Sequence, residues 1–466
     1  MLSAYRVEQI RAAEESAARV HGWDGLMQAA AAALADVVAL RVPSDATTLV
    51  LVGPGNNGGD ALFAAARLSD RGHRVDIALL DDAKAHEAGL AAARHAGARF
   101  VEAPSDQRYV VDGLFGIGAR PGLEGRAAQW ADWVRDERPY VVAVDTPSGI
   151  GVDDGTVPGS AIAADVTVTF GGAKPGLLIG RGALASGELV VCGVGIAEHL
   201  ADPACEALEL GDGARFAHLV PGPESHKFSR GVVGIEAGSP EYAGAAHLCV
   251  AGAQAGTAGM VRFVGQRELC DRVVDRAPEV VAGRGHVQAW VVGPGGIDDP
   301  EPVRAALDDD VPVLLDATAL THLPPRLRPD VLLTPHAGEL ARMLEVERVE
   351  VEADPWAHAR TAARRWDATV LLKGPRTLVV APDGRTMVNT SGTPWLATAG
   401  AGDVLAGFAG SLLSSGLDAL SAGALAALLH GAAAERAALA GPFPAHHIAE
   451  LLPSVLGDFL APTAAR

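Results

Sequence analysis

Residues 48–60 read Thr48-Leu49-Val50-Leu51-Val52-Gly53-Pro54-Gly55-Asn56-Asn57-Gly58-Gly59-Asp60. The apolar run at 48–52 is too short for a helix and is bounded by turn residues, so it reads as a buried strand. A glycine-rich polar loop follows, and a helix is expected from Asp60 to about Ser69. Strand, loop, helix is the opening of a parallel sheet with helices on both faces. The grammar repeats. Strands are expected at 75–80, ending at 111, and at 140–144, 165–170 and 188–194. Helices are expected at 26–40, near 83–95 and at 126–137. The pattern lapses over 200–228, where Pro203, Gly211, Gly213, Pro221 and Pro223 interrupt any periodicity, and a boundary is placed near 212–222. Strands then resume at 231–235, 290–292, 313–315, 331–333, 370–372 and 377–380. The expected architecture is two three-layer α/β domains, 1–211 and 212–466, without an internal repeat.

Composition narrows the function. The 466 residues carry 38 basic and 57 acidic side chains, a net charge of −19. Nucleic-acid binders need basic patches to neutralise phosphates, so no nucleic-acid partner is expected. The four cysteines, Cys192, Cys205, Cys249 and Cys270, form no Cys-x-x-Cys pair. They read as small buried hydrophobes rather than zinc ligands or disulfides. The segment 404–429 carries only Asp418 as a charge and is broken by Ser414-Ser415-Gly416. It reads as two buried helices, not a membrane span. Residues 1–8 show neither an apolar stretch nor a cleavage site, so a cytoplasmic protein is expected. Only four of the basic residues are lysine: Lys84, Lys174, Lys227 and Lys373. A lysine retained against such a bias is a candidate for a tight site.

In the loop after the first strand, Gly53, Gly55 and Gly58 satisfy a dinucleotide fingerprint, and Asp76, Asp81 and Asp82 lie where a ribose-binding acid is expected. Glycines let the backbone approach a phosphate, and the helix start offers free N–H donors. Asn56, Asn57 and Asp60 add side-chain oxygens that can hold a cation or orient a ribose. The alternative is a tight turn with Asp60 as helix cap. Two more strand-end loops follow: 111–122, containing Asp112 and Gly116-Ile117-Gly118, and Asp145-Thr146-Pro147-Ser148-Gly149. Ligands bind beyond the carboxyl ends of parallel strands. Asn57, Asp112 and Ser148 can therefore converge on one hard cation, although each carboxylate alone is also a common helix cap.

Together these loops resemble the YjeF N-terminal domain, the NAD(P)H-hydrate epimerase, over about residues 5–195. Tyr5-Arg6-Val7-Glu8-Gln9 and Lys174 in Gly171-Gly172-Ala173-Lys174-Pro175-Gly176 belong to the same match. The resemblance implies a Rossmann-like domain that interconverts the R and S hydrates at C6 of the damaged nicotinamide ring. It implies that Asn56, Asn57, Gly58, Gly59 and Asp60 bind the hydrate. It implies the same for Gly116, Ile117, Gly118, Ala119, Arg120, Pro121, Gly122 and Asp145. It also implies that Asn57, Asp112 and Ser148 hold a potassium ion. Inverting that centre needs proton transfers, which a carboxylate can provide, and Asp145 is the expected one. Ala61 stands where the family more often has glycine.

In the second half the decisive stretch is Ala397-Thr398-Ala399-Gly400-Ala401-Gly402-Asp403-Val404-Leu405-Ala406-Gly407. Small residues open a long apolar helix, whose N–H groups and dipole favour an anion. Asp403 beside a transferring phosphoryl group can take a proton from an attacking hydroxyl. The plain alternative is an ordinary helix start. The stretch resembles the ribokinase-like superfamily. Within it, six further motifs over about 224–460 resemble the ADP-dependent NAD(P)H-hydrate dehydratase. They are Ser225-His226-Lys227, Gly238–Ala245, Val292–Gly295, Leu315-Asp316-Ala317, Thr334–Glu339 and Leu372–Thr377. The resemblance implies that Ala245, Gly295, His336 and Asp403 contact the hydrate. It implies that Lys373, Gly374, Pro375, Arg376, Thr377 and Gly402 contact the adenine nucleotide, with magnesium assisting. Read alone, Thr334-Pro335-His336 is a strand-end turn and Lys373-Gly374 a strand closure. Ala399, Ala401, Thr318 and Phe228-Ser229-Arg230 depart from the family pattern.

The expected function is repair of hydrated NADH and NADPH. The first domain epimerises the hydrate, and the second dehydrates the S form at the expense of ADP, giving AMP and phosphate. Only small-molecule partners are expected, with no membrane, in a homo-oligomer. Two rival readings stand beside it. One is a ribokinase-like small-molecule kinase with an accessory domain, against which Thr334–Glu339 counts. The other is a scaffold without enzymatic activity, against which the acidic charge and the Asn57, Asp112, Ser148 set count.

Overall fold

The opening strand forms as Thr47–Val52 (β1) in the computed structural model, which describes residues 1–297 and 299–461. The strands of its sheet are β1, Arg74–Leu79 (β2), Arg99–Val101 (β3), Tyr109–Gly113 (β4), Tyr140–Val144 (β5), Val166–Phe170 (β6) and Glu188–Cys192 (β7). They are parallel throughout, in the order β3-β2-β1-β4-β5-β6-β7. Helices Val7–His21 (α1), Trp23–Arg41 (α2), Asn56–Asp70 (α3), Glu87–His95 (α4) and Gly125–Glu137 (α5) accompany it. A strand covered on both faces must be apolar at every position. Leu49 and Leu51 pack with Ala127, Trp130 and Val134 of α5. Val50 and Val52 face the other way, with Ile10, Leu34, Val38 and Leu62 of α1–α3. Strand order reverses between β1 and β4, so their carboxyl ends open the crevice where doubly wound sheets bind ligands.

Several elements differ from expectation. The helix placed from Asp60 starts at Asn56, because Gly55 takes the N-cap position with φ +86°. Asn56-Asn57-Gly58-Gly59 is therefore the first helical turn and not a loop. The helix placed over 83–95 is two pieces: a short 3-10 turn, Asp82–Lys84, capped by Asp81, and then α4, capped by His86. β3 escapes a reading by apolar run because it is short and begins with an exposed arginine.

The second sheet contains Val232–Glu236 (β8), Met260–Val264 (β9), Ala289–Val292 (β10), Val313–Leu315 (β11), Val331–Leu333 (β12), Thr369–Leu372 (β13), Thr377–Val380 (β14) and Thr386–Asn389 (β15). These run in the order β9-β8-β10-β11-β12-β13-β14-β15. Pairing is parallel as far as β13 and antiparallel for β14 and β15. Helices Ala243–Gln254 (α6), Ala337–Leu344 (α7), Ala401–Ser414 (α8), Ala419–Ala438 (α9) and Ala445–Leu460 (α10) accompany it. The apolar segment 404–429 does form two buried helices, α8 and α9. α6 and α8 touch backbone to backbone. A Cβ on Gly407, midway along α8, would lie 1.8 Å from the Cys249 carbonyl oxygen, so only glycine fits there.

The chain separates into two compact units: Ser3–Cys205, and Met1–Leu2 with the chain from Glu206 onward. α2 is long and apolar enough to cross a membrane by length and composition. Its residues Leu26, Ala31, Leu34 and Val38 pack in the core of the first unit. Cys205 and Cys249 are buried, and Cys192 and Cys270 are half-buried.

Candidate functional site

Each unit gathers its chemistry at the carboxyl ends of its strands. In the first, the loops after β1 and β4 run in contact. A Cβ on Gly53 would lie 1.6 Å from the Leu114 carbonyl oxygen, so glycine is obligatory. The Asn57 side chain lies against Gly116, and its Nδ2 is buried without a hydrogen-bond partner. Asp112, at 0% exposure, ties in the third loop. It accepts from Ser148 N at 2.8 Å, Ser148 Oγ at 2.7 Å and Leu114 N at 3.2 Å. Ser148 Oγ in turn accepts from Phe115 N at 3.0 Å. Burial drives the Asp112 carboxyl up to about 6 against those donors.

Asp145 sits at φ +66°, a left-handed backbone that costs a non-glycine residue about 1–2 kcal/mol. Such strain persists where the surroundings over-determine it. Its side chain accepts from Lys174 Nζ, from Thr169 Oγ1 at 3.2 Å and from Phe170 N at 3.3 Å. Lys174, at 1% exposure, gives its other donors to Thr169 Oγ1 at 2.9 Å and the Phe170 carbonyl at 3.1 Å. All three ammonium hydrogens are spent inside the protein.

These loops line a cavity of about 1120 Å³, slightly above the roughly 300–1,000 Å³ range for small-molecule sites. Asn56, Asn57, Asp60, residues 116–122 and Asp145 line it. Gly58 and Gly59 do not; they are buried in the first turn of α3. Of the acids weighed for a ribose, Asp81 lines the cavity, whereas Asp76 is held by Arg99 and Gln107. Arg11 and Glu14, not among the expected site residues, lie one turn apart on α1 and also line the cavity. Their i, i+3 spacing was the available signal. Burial, with Asp145 and Glu14 nearby, holds the Asp60 carboxyl well above the aspartate range. Burial and Asp145 likewise raise Glu14.

In the second unit, Asp403 lies in the first turn of α8, behind an N-cap glycine, Gly400. Burial and Asp316 push its carboxyl up to about 6, with Lys373 opposing. Lys373 Nζ is 2.8 Å from Asp316 Oδ1 and 3.8 Å from Glu339 Oε2. It also stands 3.6 Å from where a Cβ on Gly402 would be. Burial works against this ammonium, yet Asp316, Glu339 and Asp403 hold its pKa above the ordinary lysine value. Asp316, buried at the end of β11, also accepts from Thr334 Oγ1 at 2.8 Å. Its central place was not foreseen, though Leu315-Asp316-Ala317 is a strand-end acid.

His336 is the N-cap of α7. Its Nδ1 accepts from Gly338 N at 3.0 Å and Glu339 N at 3.2 Å, and His336 N donates to Glu339 Oε2 at 2.8 Å. Burial lowers the pKa of the ring, although Glu339 opposes. With Nδ1 accepting, the ring carries its proton on Nε2, which stands 3.5 Å from Glu339 Oε1. The Lys373 amide donates to the Pro335 carbonyl at 2.8 Å, placing these two strand ends side by side. Ala245 and Gly295 also meet; a Cβ on Gly295 would be 2.3 Å from that of Ala245. One turn along α6, Leu248 abuts Gly400. Arg376 turns away, bonding the Thr390 carbonyl. Thr377 Oγ1 faces the Gly374 carbonyl at 3.4 Å, across the turn that contains Pro375.

A doubly wound sheet with a large switch-point cavity, and a second sheet with a small-residue helix start between a lysine and an acid, define a two-part α/β enzyme. Family comparison matches residues 24–176 to the YjeF-related protein N-terminus and residues 233–454 to NAD(P)H-hydrate dehydratase. The chain is 41% identical over 427 residues to the bifunctional NAD(P)H-hydrate repair enzyme Nnr of Mycobacterium tuberculosis, covering 86% of this chain and 87% of that one. The Escherichia coli enzyme of the same name is 32% identical over 435 residues, covering 87% and 84%. Among solved structures, an ADP/ATP-dependent NAD(P)H-hydrate dehydratase from Bacillus subtilis, co-crystallised with ATP and Mg2+, superposes with TM-score 0.50 at 30% identity. It covers 55% of this chain and 99% of that one. The chain belongs to the family of bifunctional NAD(P)H-hydrate repair enzymes.

Proposed function

We propose that the first unit epimerises hydrated NADH and NADPH and that the second dehydrates the S form with ADP. The observation that carries the reading is the grouping of Asp403, Lys373 and Gly402 at the start of α8. Lys373 and the free helix N–H groups bind phosphate oxygens. Asp403 takes the proton of the C6 hydroxyl as its oxygen bonds to the terminal phosphorus and the bond to AMP breaks. Phosphate is a far better leaving group than hydroxide. It departs with the C6 bonding pair, helped by the ring-nitrogen lone pair, and loss of the C5 proton to water restores the dihydronicotinamide. Ala245, Gly295 and His336 bind the hydrate, His336 through Nε2–H. Gly374, Pro375, Arg376 and Thr377 form the nucleotide side. Asp316 and Glu339 are the carboxylates that would hold magnesium, which would neutralise phosphate charge there.

In the first unit two carboxyls occupy different settings, the arrangement that separates acid from base. Burial and like charge hold the Asp60 carboxyl well above the aspartate range, and it gives its proton to the C6 oxygen as the C6–O bond breaks, water leaving while the ring-nitrogen lone pair bonds to C6. Water adds back to C6 from the other face, and Asp145, paired with Lys174, takes its proton. Asn57, Asp112 and Ser148 supply an amide, a carboxylate and a hydroxyl. Such an all-oxygen set of single negative charge suits potassium, with the Asn57 amide offering its Oδ1, which lies against Gly116. The ion would neutralise Asp112 and fix the three loops. Asp112→Ala is expected to lower R–S interconversion tenfold or more, while pure S hydrate is still dehydrated at the wild-type rate. Equal loss of both activities overturns the assignment.

The reading is tested by incubating mixed R and S hydrates with and without ADP and following reduced-nicotinamide absorbance. Full recovery with ADP is expected. A stable phosphorylated product with consumption of ATP would establish the kinase instead. The domains are proposed to divide with the compact units, in a cytoplasmic homo-oligomer. Fragments 1–205 and 206–466 are each expected to fold and keep one activity. A fragment starting at 218 is expected to melt lower, because it loses the packing of Phe216 on Phe459, ring centroids 5.7 Å apart.

A further inference from the structure

The buried middle of α9 is apolar except for one imidazole. His430 is 6% exposed, and its Nε2 lies 3.0 Å from the Ala401 carbonyl oxygen. A carbonyl only accepts, so the ring must carry its proton on Nε2. Burial depresses the ring's pKa to about 4, so it stays neutral with that single donor throughout the working pH range. Ala401 is the first residue of α8. In a planar trans peptide the C=O and the following N–H point in opposite directions. The Ala401 carbonyl is thus the rear end of the peptide whose front end is the Gly402 N–H.

Neighbouring contacts tie α9 to the loop entering α8. A Cβ on Gly431 would be 2.6 Å from the Ser391 carbonyl oxygen, and Glu435 Oε1 accepts from Gly392 N at 2.6 Å. α9 therefore braces this loop at 391 and 392 and then, through His430, at the first peptide of the anion-binding turn.

We infer that His430 is a positioning residue for phosphoryl transfer: its Nε2–H fixes the Ala401–Gly402 peptide and so aims the Gly402 N–H at the phosphate. The bond also draws electron density toward the carbonyl and strengthens the N–H as a donor, as chained hydrogen bonds do. Without that donor the peptide is free to rock, and the phosphate loses one aligned N–H while Asp403 and Lys373 keep their places.

The inference rests on the proposed nucleotide site, so ADP binding to the wild-type full chain is measured first by calorimetry. No binding there refutes the site itself. Given binding, His430→Leu, which fills the space without a donor, is expected to bind ADP about tenfold more weakly, the worth of one hydrogen bond. Its KM for ADP rises, its KM for S hydrate stays, and R–S interconversion is unaffected. His430→Gln places an amide N–H where Nε2 was and is expected to restore ADP affinity to within about threefold. Wild-type ADP affinity in the leucine variant overturns the inference. If that variant does not fold, glutamine and asparagine decide. The shorter asparagine cannot reach Ala401 and should bind ADP more weakly than glutamine; equal affinity of the two overturns the inference.

Discussion

Asp403→Asn is expected to slow dehydration of S hydrate by about 10²–10⁴, the usual cost of removing a general base. ADP binding should survive, because the helix N–H groups and Lys373 remain. R–S interconversion should be untouched. The pH profile makes the assignment specific. Burial and Asp316 push this carboxyl up to about 6 against Lys373. Wild-type dehydration should therefore fall about tenfold per pH unit below about 6 and level off above it, and the asparagine variant should lack that limb. The same shift has a cost in stability. A carboxyl whose folded pKa is raised binds more protons folded than unfolded between about 4 and 6, so stability falls as pH rises through that window. Asp403→Asn should accordingly melt higher than wild type at pH 7. A variant that dehydrated at the wild-type rate would leave Asp403 as an ordinary first-turn acid of α8.

Lys174→Met is expected to be the most destabilising single change in the first unit. The ammonium is 1% exposed and meets three acceptors, one of them the Asp145 carboxylate. Removing one member of a buried pair strands the other charge, at about 3–5 kcal/mol. Heat should abolish R–S interconversion at a much lower temperature than in wild type, with dehydration of S hydrate as the internal control. Adding Asp145→Asn removes the stranded charge and should recover most of the lost stability. Interconversion should not return, because the proton acceptor has gone. Unchanged heat sensitivity in Lys174→Met would show that the pair holds nothing in place.

Much of this was legible before any coordinates. A buried strand is a continuous apolar run because both faces are covered, so Tyr140–Val144, Val313–Leu315, Val331–Leu333 and Thr377–Val380 fall where that rule puts them. Strands near a sheet margin obey it less. Arg99–Val101, at an edge, and Met260–Val264, covered outward only by the two-residue strand Val281–Ala282, carry arginines and went unread. The start of α3 was placed four residues late, because Asn and Gly are poor helix formers and read as loop. Gly55 at positive φ lets the helix begin before them.

The sequence by itself determined the class of both sheets and the strand-end loops that carry chemistry. Those properties are local: periodicity, glycine spacing and the chemistry of strand ends. The tertiary structure alone decided which distant residues meet. Strand order reverses between β1 and β4. Glu14 of α1 joins Asp60 and Asp145. Asp316 reaches Lys373 across 57 residues of chain, and a histidine in α9 reaches the first peptide of α8. Each pairing depends on how the elements stack, which no repeat along the chain records. The raised carboxyls follow from the same cause, since burial and like-charge neighbours exist only once the chain has folded.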